Sequence, residues 1–156
     1  MACMRGDHQT ALASYREALE AYETVGDRPE EARVLDGLAW ASLGLKETDD
    51  ARSFFLRSIQ AYEEVGSVRG IGIALFGLAA THQVEGRSSA AQQIAAAAEV
   101  FSTQEGIVNV FDEGSPAPAY LAAARESLRP EEVERLTEIG QQMSVQDAIT
   151  FATEGS

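Results

Sequence analysis

The feature that most constrains this chain is a repeat with a period of about forty residues. Gly26, Gly66 and Gly106 stand at equal intervals, as do Ala11, Ala51 and Ala91, the tyrosines 22 and 62, and the tripeptides Gly37-Leu38-Ala39 and Gly77-Leu78-Ala79. A period of this length holds one helical pair. A single pair cannot bury its apolar face and must stack on a copy of itself, so the expected architecture is a helical solenoid.

The pattern within each period supports this. Ala11, Leu12, Tyr15, Ala18, Leu19, Tyr22 and Val25 follow three- and four-residue steps, which places them on one stripe of a helix from Asp7 to Val25 that Gly26 ends. Asp27 with Glu30 is a capping-box signal, and Pro29 is tolerated in a first turn. A second helix then carries Leu35, Leu38, Ala39 and Ser42 inward and stops near Gly44. The third buries Ala51, Phe55, Ser58, Ile59, Tyr62 and Val65. The next pair repeats the scheme, from Ser67 to about Glu85 and from Ser89, capped with Gln92, to about Glu105. Small residues at Ala79, Ala91, Ala95 and Ala98 allow close helix approach.

The residues Leu35, Leu38, Ala39, Ala51, Phe55 and Ser58, and in the next copy Leu75, Leu78, Ala79, Gly86, Ala91, Ala95 and Ala98, resemble the tetratricopeptide repeat. Lys46 stands where the turn glycine is usual and Ala95 where an aromatic is usual. The resemblance implies an all-α superhelix of tetratricopeptide-like hairpins. The expected boundaries are repeats over 1–106, with a truncated copy at 1–26 and full pairs at 27–66 and 67–106, then a loop and capping helices over 107–156. The apolar run 107–111 is expected to fold over the last repeat. Helices are expected near 119–128, 130–142 and 144–152, the last capped by Ser144 and Asp147.

Ala97-Ala98-Glu99 and the run from Gly140 to Ile149, GQQMSVQDAI, are similar to the C-terminal end of large bacterial signalling ATPases, including LuxR-type transcription regulators. That similarity spans about residues 69–153 and implies a sensor region whose nucleotide-binding and effector domains lie upstream.

Composition narrows the function. A net charge of −13 would repel a phosphate backbone or an anionic membrane. The single cysteine, Cys3, gives no disulfide framework, and a reducing cytoplasm is the natural setting. No stretch approaches the roughly 20 apolar residues of a membrane span. The only lysine, Lys46, lies outside any phosphate-binding loop, and the Gly70–Gly72 pair reads as a loosened helix start. His8 and His82 lack ligand-spaced partners and read as structural, and the acid pairs Glu30-Glu31, Glu63-Glu64 and Glu131-Glu132 read as exposed faces. No catalytic residue, metal or cofactor is assigned, and the chain is not expected to be an enzyme.

Binding is the remaining class. The first helix of each pair is expected to line a concave groove through Arg33, Asp36, Trp40 and Leu43, and through Arg69, Ile73, Phe76, Ala80 and Gln83. Its ligand would be a protein, a peptide or a small inducer. The truncated first copy is expected to leave Leu12, Tyr15, Leu19 and Tyr22 without part of their cover, as an interface for upstream repeats or a homodimer.

Overall fold

A computed structural model of the chain describes residues 5–103 and 115–154. Cys3, Gly106 and the apolar run 107–111, with its expected position over the last repeat, lie outside the described residues. Eight α-helices and no strand occur among the described residues: α1 (Arg5–Val25), α2 (Arg28–Gly44), α3 (Thr48–Glu64), α4 (Val68–Val84), α5 (Ser88–Ser102), α6 (Ala117–Glu126), α7 (Pro130–Gln141) and α8 (Val145–Glu154).

The turns explain the regular spacing. Gly26, Gly66 and Gly86 adopt φ of 74°, 71° and 83°, and Lys46 occupies the matching place with φ 62°. In each turn the next residue's amide reaches back five positions, as in Asp27 N to Tyr22 O at 3.1 Å and Glu47 N to Ser42 O at 2.9 Å. This is the Schellman closure, which satisfies the last carbonyls of a helix and needs a left-handed residue. Lys46 therefore folds the chain as a glycine would, at a steric cost.

Two expected caps form and one does not. Asp27 Oδ1 accepts from Glu30 N at 3.3 Å, and Ser144 Oγ accepts from Asp147 N at 3.0 Å. The Ser89–Gln92 cap is corrected: α5 starts at Ser88, its preceding residue Arg87 makes no side-chain cap bond, and Gln92 instead donates to Thr137 Oγ1 on α7 at 2.9 Å.

The chain forms two compact units, Met1–Ser67 and Val68–Ser156, so the second helical pair groups with the C-terminal helices. In the first unit α2 lies between α1 and α3. Leu12 and Leu19 of α1 pack with Val34, Leu35, Leu38 and Ala41 of α2. The close approach is possible because the Tyr15 ring lies across Gly37, where a methyl group would sit 2.5 Å from the ring, and the His8 ring similarly crowds Gly44. Arg28 joins α2 to α3 through Glu64 at 2.7 Å and also pairs with Glu31. Glu31 is accordingly buried, a correction to its reading as an exposed acid.

In the second unit α5 is packed by α4, α6, α7 and α8. Its alanines make this possible: Ala91, Ala97 and Ala98 are fully buried. Two glycines set the spacing. A methyl group on Gly72 would lie 2.8 Å from Ser102 N and 2.9 Å from Ala98 O, so this glycine serves the α4–α5 approach and not a loosened helix start. A methyl group on Gly140 would strike the Gln93 carbonyl and lie 2.8 Å from Ala96 Cβ, which brings α7 close to α5. Buried His82 links the terminal helix to α4. Its Nδ1 accepts from Arg87 Nε at 3.0 Å, which leaves Nε2–H to donate to Ala152 O at 3.0 Å.

Candidate functional site

The residues expected to line a groove on α2 divide into two groups. Arg33 is exposed and pairs with Glu30 at 3.0 Å, whereas Leu43 is buried at 1% exposure. Asp36 and Trp40 fall between these extremes and face α3. The Trp40 and Phe55 rings meet edge to face, with centroids 5.3 Å apart and planes at 82°. The Tyr62 hydroxyl donates to Asp36 Oδ2 at 3.4 Å, and Ser58 Oγ donates to Ala32 O at 3.0 Å. The expectation that Asp36, Trp40 and Leu43 occupy a stripe spared by hairpin packing is thus corrected. A helix with neighbours on both sides must be apolar around most of its circumference, so few positions are left for a ligand.

Asp36 is the unusual group in this hairpin. Its Oδ1 is enclosed and has no hydrogen-bond partner among the described residues. Burial pushes the carboxyl up to about 7, against the smaller downward pulls of the Ser58 and Tyr62 hydroxyls. A carboxyl poised there exchanges a proton near neutral pH. Nothing in the sequence separates this aspartate from the exposed acids around it; only its α3 neighbours do.

On α4 the corresponding stripe is also mostly enclosed. Phe76 and Ala80 are buried at 4% and 0% exposure, on a helix packed by α5, α6 and α8, which corrects their expected place in an open groove. Arg69, Ile73 and Gln83 keep partial exposure, and Arg69 Nε is enclosed without a hydrogen-bond partner among the described residues.

The second unit also holds an open cleft of about 700 Å³ between the α4–α5 and α6–α7 turns, which sequence reasoning missed. Its polar walls include Gln83, Arg87, Ser88 and Ser127. Several of these groups already bond locally: Ser88 donates to Gln83 at 2.7 Å, Arg87 binds His82 and Glu85, and Ser127 donates to Ala123 O. The Arg-Ser-Ser run at the start of α5 was the only sequence signal for it.

The α1 face is the third candidate. Leu12 and Leu19 are each 8% exposed, so α2 covers them; the expectation that they lack cover is corrected, because their side of α1 faces the helix that follows. Tyr15 remains 37% exposed and Tyr22 half-buried.

No helix is long and apolar enough to cross a membrane among the described residues. Neither a curated protein nor a solved structure matches the chain. The family described as tetratricopeptide repeat matches residues 1–64, the span of α1, α2 and α3. The fold is all-α and tetratricopeptide-like, and repeats of this kind generally mediate contacts between proteins and are generally non-enzymatic.

Proposed function

We propose that this chain is a non-enzymatic protein-interaction or sensor module, acting as the C-terminal repeat region of a signalling ATPase or transcriptional regulator. The observation that carries the interaction reading is the stacked helical arrangement of α1, α2 and α3 over the stretch that matches tetratricopeptide repeats. The regulator context rests on the similarity of the GQQMSVQDAI run to the ends of such proteins.

The accessible part of the stripe is what a partner or inducer would touch. On the first unit this is Arg33 with the open edge of Trp40, and on the second Arg69, Ile73 and Gln83. Arginine and tryptophan are enriched among residues that dominate binding energy. Asp36 would act behind them, because a ligand that perturbs the hairpin changes the surroundings of a carboxyl that titrates near neutrality. The setting would be cytoplasmic, with an upstream nucleotide-binding domain as the element biased by binding. The alternative is a free-standing adaptor that homodimerises through α1.

The native mass separates the two. An antibody raised against this chain should detect, on a denaturing gel of source cells, a band several-fold above 16.7 kDa. A band at the mass of the chain itself would sink the regulator reading and leave the adaptor. Proteins co-isolated with the native protein should be lost on Arg33→Glu, with an unchanged melting temperature. Retention of all of them would remove the α2 stripe as the binding surface.

A further inference from the structure

The polar pair inside the α2–α3 hairpin is not demanded by the fold, as the forty-residue register shows. Asp36 is matched in α4 by Phe76, and Ser58 is matched in α1 by Ala18 and in α5 by Ala98. Phe76 and Ala98 are buried at 4% and 0% exposure, so the second hairpin closes with apolar side chains at both places. In the first hairpin the two departures come together: the Ser58 hydroxyl acts on the Asp36 carboxyl from α3, and Tyr62 reaches it from the next turn. Enclosing a carboxyl where the same scaffold elsewhere packs a ring costs stability, which marks a functional position.

The bonds this carboxyl needs differ with its charge. An ionised carboxylate accepts about four hydrogen bonds. Here Tyr62 supplies one to Oδ2 at 3.4 Å, Oδ1 has no partner among the described residues, and the Ser58 proton is committed to Ala32 O at 3.0 Å. The cations of the hairpin are engaged elsewhere: Arg28 with Glu31 and Glu64, Arg33 with Glu30, and Arg52 with Asp49. Lys46, Arg57 and the acids of α3 are exposed. From α1, the titratable groups turned to α2 are His8 against Gly44, Tyr15 against Gly37, and half-buried Tyr22; Arg16 and the acids of α1 are exposed. The arrangement suits the neutral acid, whose proton can go to the Ser58 oxygen while the Ser58 proton stays on Ala32 O. Burial favours the same form and holds the carboxyl at about 7.

We propose that the α2–α3 hairpin is a proton-operated switch, in which loss of the Asp36 proton draws the Ser58 hydroxyl from Ala32 O to the carboxylate and admits water beside the Trp40 and Phe55 rings. The rings lie one turn away: Trp40 is four residues beyond Asp36 on α2, and Phe55 is three before Ser58 on α3. The charged acid needs further donors, and water can supply them because Asp36 and Trp40 keep partial exposure. The protonated hairpin is closed and the deprotonated one is loosened. As a control on what the α2 stripe binds, the switch rests on the interaction reading above, since Arg33 and Trp40 flank Asp36 on one helix. The switch itself needs no partner, so its test and the Arg33→Glu test fail separately.

The full chain, carbon-13 labelled in its aspartate carboxyls, is titrated through neutral pH by NMR and in parallel by Trp40 fluorescence. The Asp36 signal is the one that Asp36→Asn removes. A single transition near neutrality is expected, with the same midpoint in both readouts and no fluorescence transition in Asp36→Asn. Ser58→Ala removes a donor to the charged form and should move both midpoints up by about one pH unit, a tenfold change in proton affinity. Ala18 and Ala98 at the matching places show that the helices accommodate this change. A Ser58 hydroxyl that only ties α3 to Ala32 O would lower stability equally at every pH and leave both midpoints where they are, which overturns the proposal. So does a fluorescence transition that persists in Asp36→Asn, since it would belong to another group such as His8. An Asp36 signal that titrates like an ordinary aspartate overturns it as well.

Discussion

The Asp36 carboxyl should make the stability of the α2–α3 hairpin depend on pH in the direction opposite to that of a salt-bridged acid. In the folded chain it titrates at about 7, against 3.8 for an ordinary aspartate, because burial disfavours its charged form. Between those two values the native state binds more protons than the unfolded state, so stability falls as pH rises through about 4 to 7 and levels off above. About three units at 1.36 kcal/mol each set a ceiling of ~4 kcal/mol. Asp36→Asn keeps the size and an oxygen for the Tyr62 hydroxyl and carries no charge. The variant should match the parent near pH 4 and exceed its stability by a few kcal/mol at pH 8. Urea unfolding followed by fluorescence is the assay, and Trp40, the only tryptophan, reports this hairpin directly. Taking the variant-minus-parent difference at each pH removes the contributions of the other carboxylates. A difference that stays flat from pH 4 to 8, or a variant less stable than the parent at pH 8, would refute the argument from burial.

Three further perturbations test the packing. Lys46→Gly removes a side chain from a left-handed position and should raise stability by about 1 kcal/mol, less the glycine's own entropy, in urea unfolding. Gly140→Ala places a methyl group against the Gln93 carbonyl and should cost about 1–3 kcal/mol, with amide exchange rising first in α7; unchanged protection there would contradict the close α5–α7 approach. His82→Phe leaves the Ala152 carbonyl without its donor and Arg87 Nε without its acceptor, so a loss of about 1–3 kcal/mol is expected, whereas equal stability would show that water replaces both bonds.

How much could be read from the chain depended on whether a residue's role was local. The turns were legible because a Schellman closure requires a left-handed residue at a fixed place, and Gly26, Gly66 and Gly86 mark it by name. Asp27 and Ser144 were legible as caps because their partners lie three residues away. Gln92 was misread since its partner, Thr137, lies on a helix that local spacing does not reveal. Glu31 failed for a similar reason: the sequence placed it among exposed acids, and the Arg28 contact buries it. The groove stripe suffered most. Helical periodicity puts Asp36, Trp40 and Leu43 on one side of α2, but it does not say how many neighbours that helix will have.

The sequence by itself determined the periodic helix–turn–helix spacing, the helix ends and the small residues that let backbones approach, because these follow from three- and four-residue steps and from the steric freedom of glycine and alanine. Only the tertiary structure decided which faces remain open. Burial is a property of what lies alongside, and two helices with nearly the same stripe, α1 and α3, differ in exposure: Phe55 and Ser58 of α3 are sealed against α2, whereas Tyr15 of α1, which also meets α2 at Gly37, stays partly open. The same reasoning applies to Asp36, whose proton affinity comes from exclusion of water by neighbours that no local pattern specifies.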